Sequence, residues 1–304
     1  MKQRVGLIGV GNMGGRMARR LVDAGIPVLG HDADPARPAA AGAQAAASVR
    51  DLVERSDIVL LSLPDSRVVE AVVEGTDGIL AACRAGQTVV DLSTSAASST
   101  MRLAGLFRDR GVHFIDAGIS GGAAAAERGT LTLMVGGDAE AIEAVRWVFA
   151  PISSKALRMG PSGAGHTTKL LNNFLNAVSL AATAEVMVAA RKADLDLHQF
   201  LDVVNSSSGV NFATLNRFPH IVDGNYLEGG LTSRLMTKDV VLYLERVREL
   251  GVASLNASGP LASFGLATAL GYGDLISNRV VDAIGDVSGG VRLSDGESKD
   301  RSKA

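Results

Sequence analysis

The sequence has little cysteine, no strong net charge and no long apolar run. Cys83 is the single cysteine among 304 residues, so an internal disulfide is excluded and a reducing, cytoplasmic setting is expected. Basic residues number 30 and acidic residues 32, a formal net charge of −2, which gives no support for a nucleic-acid partner. No window of ~18 residues is uninterruptedly apolar, and the N-terminus shows no signal-peptide pattern. We therefore expect a small-molecule partner, with no nucleic acid and no membrane.

The histidines and the cysteine give no sign of a metal or nucleophile site. Cys83 lies in a helix-like stretch with no histidine beside it, which favours a buried structural thiol. His166 is interpreted as a surface position on a helix, with a position bordering the site of Lys169, three residues further on, as the alternative. None of the five histidines shows the spacing of metal ligands, so we predict no metal site; they are His31, His113, His166, His198 and His220.

Short β-branched runs alternate with longer helical stretches in the first half of the chain. This alternation indicates an α/β domain whose mainly parallel sheet is covered by helices on both faces. The predicted strands are Val5–Ile8, Val28–Leu29, Ile58–Leu61, Thr88–Leu92, His113–Ile115 and Leu131–Val135.

The pattern changes at the glycine-rich break around Pro161. We place a first domain at residues 1–162, a mostly α-helical domain at 163–287 and a disordered tail at 288–304. A helix from about Ala164 to about Ala193 would span roughly 45 Å at 1.5 Å per residue. Such length is typical of a spine between domains or subunits, and favours a homodimer or homotetramer. Further helices are predicted at Leu197–Val204, Phe212–Phe218, Leu235–Leu250, Leu261–Leu270 and Ile276–Ala283.

A glycine triplet between the first strand and the first helix predicts a dinucleotide site. Gly9, Gly11 and Gly14 fit the G-x-G-x-x-G pattern. The first glycine permits a tight turn, the second lets a pyrophosphate approach the backbone, and the third lets helix and strand pack closely. The strand before and the helix after the triplet make this a specific signal for a doubly wound, Rossmann-type domain. Asn12 and Met13 lie inside the turn and are included in the predicted site.

Asp32 follows the second predicted strand, near the position where an acidic residue binds the adenosine ribose. Its carboxylate would accept hydrogen bonds from a ribose 2′-hydroxyl and repel a 2′-phosphate. Ala33 and Asp34 follow, with no arginine to pair with a phosphate. We therefore predict NAD in preference to NADP. The alternative is that Asp32 caps a turn ahead of Pro35.

With these features the chain resembles the β-hydroxyacid dehydrogenase family, which includes 3-hydroxyisobutyrate dehydrogenase and tartronate semialdehyde reductase. The resemblance covers about Val5 to Val287. The blocks that carry it are the glycine turn, Asp116–Gly122 followed by Gly129–Leu131, Gly163–Asn173 and Lys238-Asp239.

Two positions depart from the family pattern. Gly118 stands where the family usually has proline, which would loosen the loop before Ser120. Ala33-Asp34 stand where members that use NADP often carry Arg-Thr.

The resemblance also implies that Leu63, Pro64 and Val68 line the cofactor, that Thr94 lies near its nicotinamide end, and that Lys238 reaches it from the second domain.

Lys169 is the predicted catalytic acid/base, at the position that matches the catalytic lysine of the family. The pKa of lysine is ordinarily near ~10.4, and burial in a cleft between the domains would lower it by disfavouring the charged form. A lysine tuned in this way takes the hydroxyl proton during oxidation and returns it during reduction. Asn173 is four residues further on and shares its helix face, so it is predicted to hydrogen-bond the substrate or to orient the lysine, and it is included among the catalytic residues.

Ser120, Gly121 and Gly122 follow a strand end, where open α/β sheets bind ligands. Their backbone N–H groups and the serine hydroxyl predict a cradle for the carboxylate of the substrate, and Ser120 is included among the catalytic residues. The predicted function is hydride transfer between a nicotinamide cofactor and a small 3-hydroxy acid, such as 3-hydroxyisobutyrate, or its semialdehyde. The alternatives are a non-catalytic cofactor-binding module and an imine reductase on the same scaffold.

Overall fold

The computed structural model describes residues 3–294, which divide into two compact units, one ending at Lys169 and the other beginning at Leu170. The first unit is built on one sheet with the strand order β3-β2-β1-β4-β5-β6-β7-β8. All neighbouring strands in it run parallel except β6 and β7, which are antiparallel. The strands are β1 (Val5–Ile8), β2 (Val28–His31), β3 (Gln44–Ala45), β4 (Ile58–Leu61), β5 (Thr88–Asp91), β6 (His113–Ser120), β7 (Leu131–Gly136) and β8 (Ser153–Gly160).

Helices cover both faces of this sheet, as the sequence analysis predicted. The central strands are buried on both sides, and alternate residues enter different cores: Leu60 packs in one cluster while Val59 and Leu61 pack in the other. This explains why β4 is apolar at every position instead of alternating. The helices are α1 (Asn12–Asp23), α2 (Arg37–Ala40), α3 (Val49–Arg55), α4 (Ser66–Glu74), α5 (Ile79–Ala82), α6 (Ala97–Arg108), α7 (Gly122–Arg128) and α8 (Ala139–Phe149).

Two strands, β3 and β8, were absent from the prediction. Strand β3 has only two residues, both exposed. Strand β8 is the edge strand beside β7, and most of its side chains are exposed. Its polar sequence therefore lacks the continuous apolar run that marks a buried parallel strand.

Helix α9 (Ala164–Lys192) is the long helix that the sequence predicted. It is long and apolar enough to cross a membrane by length and composition, a test that the core helix of a folded domain also passes. Leu180, Ala184 and Met187 on this helix are buried in the core of the second unit. Its first turn instead packs in the first unit, so the units divide at 169/170 and not at the predicted 162/163.

The second unit is all-helical in its described residues, around a core that includes Phe218, Met236 and Phe264. The predicted tail began at Ser288, but Leu293 is only 4% exposed and packs in this core. Residues 295–304 of that tail lie outside the described residues. The helices are α10 (Leu197–Asn205), α11 (Phe212–Asn216), α12 (Phe218–Ile221), α13 (Ser233–Glu249), α14 (Ser258–Ala267), a π-helical turn (Thr268–Tyr272), a 3-10 turn (Ser277–Arg279) and α15 (Val280–Val287).

Candidate active site

The glycine turn between β1 and α1 has the geometry that the fingerprint requires. Gly9 adopts a φ of +89°, and a Cβ there would lie 2.3 Å from the carbonyl oxygen of Ser62. A Cβ on Gly14 would lie 1.9 Å from the carbonyl oxygen of Gly9. Around Gly11 the space is more open, because the nearest atom to an added Cβ is an Arg37 guanidinium nitrogen at 3.3 Å. The turn is therefore closed on its inner side and accessible at Gly11, as a phosphate cradle must be.

A surface pocket of about 400 Å³ adjoins this turn, and Gly11 and Asn12 are among its lining residues. Helix α1 begins at Asn12, after Gly11, and has no acidic residue in its first turn, so its N-terminal N–H groups favour an anion. Arg16 and Arg19 contribute positive charge from α1, and Arg37 from α2. Met13 follows Asn12 in the first turn of α1, half-buried against the core of the first unit.

Asp32 has the turn-capping role that the sequence left open as the alternative, and its role at the adenosine ribose stays a prediction. One carboxylate oxygen accepts the N–H of Val10 at 2.7 Å, and the other accepts the N–H of Asp34 at 2.9 Å, which caps the turn. The guanidinium of Arg37 lies 3.6 Å from the same carboxylate. Arg37 was not foreseen from the two residues after Asp32, and it places a cation beside this carboxylate.

The remaining predicted cofactor residues of the first unit follow β4 and β5. Leu63 is held by its N–H, which donates to the Ser93 hydroxyl at 2.9 Å. Pro64 comes next and is exposed, and Val68 is 36% exposed in the first turn of α4. Thr94 is half-buried just after β5. Since β4 and β5 are parallel neighbours, all of these residues lie at one sheet edge, beyond the carboxyl ends of the strands.

Ser120, Gly121 and Gly122 end strand β6 and begin α7. Gly121 and Gly122 have φ angles of +121° and +67°, a conformation that side chains rarely adopt. Both glycines are exposed, so their backbone N–H groups can be approached by a ligand. Gly118 is not in a loosened loop, as its departure from the family pattern implied. It pairs with Met134 inside the sheet.

Lys169 packs directly against this strand. A Cβ on Gly118 would lie 2.5 Å from the Cβ of Lys169, so the glycine allows the lysine to approach β6 two residues before Ser120. The side chain is buried, with 9% exposure. The structure therefore brings the predicted acid/base and the predicted carboxylate cradle to the same strand, within one compact unit.

A buried carboxylate fixes the start of the helix that carries Lys169. Asp116 on β6 accepts the N–H of Gly163 at 2.7 Å and the N–H of His166 at 2.8 Å. It thus acts as a helix cap supplied by a distant strand and satisfies two of the N–H groups that a helix start leaves without partners. This tie explains why the first turn of α9 belongs to the first unit.

His166 was predicted on the surface, and this prediction was wrong: its side chain has 0% exposure. Its Nδ1 lies 2.7 Å from the Thr100 hydroxyl, and its Nε2 lies 4.0 Å from a carboxylate oxygen of Asp91. Asp91 in turn accepts the N–H of Ser93 and the hydroxyl of Ser95. Sequence spacing could not reveal this cluster, because its members come from β5, α6 and α9.

Asn173 and Lys238 are connected within the second unit. The Asn173 side-chain amide donates to the carboxylate of Asp239, and the Lys238 ammonium lies 3.1 Å from that carboxylate. Asp239 is 1% exposed, so Lys238-Asp239 is not a solvated pair at a helix start. Asn172, the preceding residue on α9, is exposed. Among residues 3–294, no group of three or more His, Cys, Asp or Glu side chains could hold a metal ion.

The fold, the glycine cradle and the buried lysine together define a nicotinamide-dinucleotide-dependent oxidoreductase. Residues 4–160 match the NAD-binding domain of 6-phosphogluconate dehydrogenase, and residues 163–280 match the NAD-binding domain described for NADP-dependent 3-hydroxyisobutyrate dehydrogenase. The chain therefore belongs to the β-hydroxyacid dehydrogenase family, of the 3-hydroxyisobutyrate dehydrogenase type, as the motifs predicted.

Relatives of known activity support the same assignment. The NAD-dependent L-serine dehydrogenase of Pseudomonas aeruginosa is 36% identical over 90% of this chain and 95% of its own length. The 2-(hydroxymethyl)glutarate dehydrogenase of Eubacterium barkeri is 35% identical over 81% of this chain and 83% of its own. The structure of Mycobacterium tuberculosis 3-hydroxyisobutyrate dehydrogenase with L-serine has a TM-score of 0.85 at 29% identity, covering 94% of this chain and 99% of that one. The chain is thus an NAD(P)-dependent hydroxyacid dehydrogenase, and the comparisons favour this function over the non-catalytic and imine-reductase alternatives.

Proposed function

We propose that this enzyme oxidises the primary or secondary alcohol of a small 3-hydroxy acid with NAD, or reduces the matching semialdehyde or keto acid, and that Lys169 handles the proton. The observation that carries the proposal is the burial of Lys169 against Gly118, two residues before Ser120. A buried lysine side chain that packs against β6 and the exposed backbone donors that follow this strand can together serve the reacting hydroxyl and the substrate carboxylate.

The residues that would hold the cofactor are the glycine turn with Asn12 and Met13, Asp32 at the adenosine ribose, and Leu63, Pro64, Val68 and Thr94 at the adjoining sheet edge, with Lys238 from the second unit. The nicotinamide ring supplies the hydride acceptor or donor when bound. Asp32 can accept from a ribose hydroxyl with its remaining lone pairs, since each carboxylate oxygen accepts one backbone N–H group.

The chain's own residues would then manage the substrate. The Ser120 hydroxyl and the N–H groups of Gly121 and Gly122 bind the carboxylate and fix the orientation of the substrate. Neutral Lys169 accepts the hydroxyl proton at Nζ as the alcohol is oxidised, and the ammonium returns it in the reverse direction. Asn173, one helical turn further on and held by Asp239, donates or accepts a hydrogen bond at the substrate.

A panel of substrates tests this proposal. NAD and NADP reduction would be followed at 340 nm with 3-hydroxyisobutyrate, L-serine, L-threonate, glycerate and 2-(hydroxymethyl)glutarate. We expect turnover with at least one acid, and faster turnover with NAD. If the purified protein binds NADH but turns over none of these acids or their semialdehydes, the proposed substrate class is wrong.

We also propose a cytoplasmic homodimer or homotetramer. The support is indirect: a single cysteine that makes no disulfide, and the length of α9. Light scattering coupled to size-exclusion chromatography measures the mass directly. A mass of about 31 kDa, that of one chain, would contradict the oligomer.

A further inference from the structure

Arg217 is an arginine of the second unit whose hydrogen-bond partners are neutral. It lies at the junction of α11 and α12. One terminal nitrogen donates to the side-chain oxygen of Asn278 at 2.8 Å, and the other donates to that of Asn176 at 3.0 Å. The guanidinium also lies 5.8 Å from the ring centre of Phe212. These contacts orient the guanidinium without neutralising it.

The absence of a carboxylate partner distinguishes Arg217 from four other arginines of this unit. Within residues 170–294, Arg234, Arg246, Arg279 and Arg292 each form an ion pair with a carboxylate, whereas Arg217 forms none with any described residue. Arg217 is also half-buried, and burial lowers its pKa to about 10. Removing a cation from water without a counterion costs free energy. Binding of an anion beside Arg217 would offset that cost.

The guanidinium keeps the donors that such an anion needs. Arginine has five N–H donors, and Asn176 and Asn278 use one on each terminal nitrogen. The donors left over can form the paired hydrogen bonds that carboxylates and phosphates accept from arginine. Asn278 is itself fixed, because its amide donates to the carbonyl oxygen of Tyr226 at 2.8 Å.

The position of Asn176 links Arg217 to the reactive part of α9. Asn176 is three residues after Asn173 and seven after Lys169 on one continuous helix, and residues spaced by three, four and seven share a helix face. Seven residues correspond to about 10 Å along the axis. Arg217 therefore contacts the face that carries the proposed acid/base, some 10 Å further along it.

We propose that Arg217 binds a second anionic group of the substrate, a carboxylate several bonds from the reacting hydroxyl. This inference rests on the proposed function, and it narrows the substrate class to 3-hydroxy acids that carry two carboxylates. Asn176 and Asn278 hold the guanidinium in place, and the distal carboxylate supplies the missing negative charge. A monocarboxylate leaves Arg217 without its counterion and is the poorer substrate.

Turnover of a matched pair of acids tests the proposal. 2-(Hydroxymethyl)glutarate and 2-(hydroxymethyl)pentanoate have the same carbon chain, and only the first has a distal carboxylate. We expect kcat/KM to be at least tenfold higher for the glutarate. Arg217→Met should lower that value by about 10- to 100-fold, as for loss of a hydrogen-bonded charge pair, and change the pentanoate value less than threefold. Arg217→Lys should keep part of the preference. Arg248→Met, an exposed arginine of the same unit, serves as the control.

Equal losses for both acids in Arg217→Met would show a structural role and overturn the proposal, as would equal turnover of both acids by the wild type. If neither acid is turned over, a binding measurement still tests the role of Arg217. Calorimetry with glutarate and pentanoate, neither of which has a hydroxyl, should show tighter binding of glutarate that Arg217→Met abolishes. If glutarate binds in this way but neither hydroxy acid is turned over, only the proposed reaction is rejected. Equal binding of glutarate and pentanoate rejects the role of Arg217.

Discussion

Substituting Gly118 by alanine should displace Lys169. The added Cβ would lie 2.5 Å from the lysine Cβ and 3.1 Å from its Cγ. Carbon atoms pack at about 3.5–4.0 Å, so strand β6 and helix α9 must separate by about 1 Å. The helix has little freedom to adjust, because a Cβ at Gly165 in its first turn would lie 2.3 Å from the carbonyl oxygen of Met134. The strain must therefore fall on the Lys169 side chain and on strand β6, which carries Gly118.

Two magnitudes follow from this geometry. Overpacking of this kind costs about 1–3 kcal/mol of folding free energy, which lowers Tm by roughly 2–10 °C for a domain of this size. A displacement of about 1 Å at a reacting group can cost about 100-fold in rate. We expect kcat to fall more than stability alone would explain, at a temperature where the variant is still fully folded.

The assay combines thermal unfolding, NADH binding and kcat for Gly118→Ala. Gly265→Ala is the matched control, since its added Cβ meets nothing within 4 Å and it lies in helix α14. Alanine should stabilise that helix by up to about 1 kcal/mol and leave kcat unchanged. If Gly118→Ala has both the kcat and the Tm of the wild type, the close approach of β6 to Lys169 is not real and the argument fails.

Three further predictions concern groups outside this contact. Asp116→Asn should lower the free energy of unfolding by about 1–3 kcal/mol, measured in urea, because the amide cannot accept from both backbone N–H groups; an unchanged midpoint would contradict this. Arg37→Ala should weaken NADPH binding about tenfold and NADH binding much less, measured by fluorescence titration, since Arg37 offsets the charge of Asp32; equal effects would exclude this role. Burial raises the pKa of the Cys83 thiol, so iodoacetamide at pH 8 should label it more slowly in the folded protein than in urea; equal rates would show an exposed thiolate.

The elements that the sequence predicted well are those whose signal is local. The glycine triplet encodes a turn between the consecutive elements β1 and α1, and the apolar runs of β1, β4 and β5 reflect burial on both faces. Strand β8 lacks such a run because it lies exposed at the sheet edge. Its pairing with β7 could be found only from the assembled sheet.

The supporting residues of the site could not be predicted, since their roles depend on tertiary contacts. Asp116 and His166 are 50 residues apart in sequence, and Thr100 and His166 are 66 apart. Nothing near Asp116 in the sequence marks it as the cap of a distant helix. Arg217 likewise carried no motif, and its lack of a counterion becomes visible only when its neighbours are known.

The central claim is that Lys169 transfers the proton, and the turnover of Lys169→Ala with the best acid of the panel tests it most directly. Lys155→Ala, an exposed lysine on β8, controls for the loss of one positive charge. Acid–base groups contribute about 10²- to 10⁴-fold to rate, so kcat should fall by that factor while NADH affinity stays within about twofold of the wild type. If Lys169→Ala keeps kcat within a few-fold of both the wild type and Lys155→Ala, Lys169 is not the acid/base.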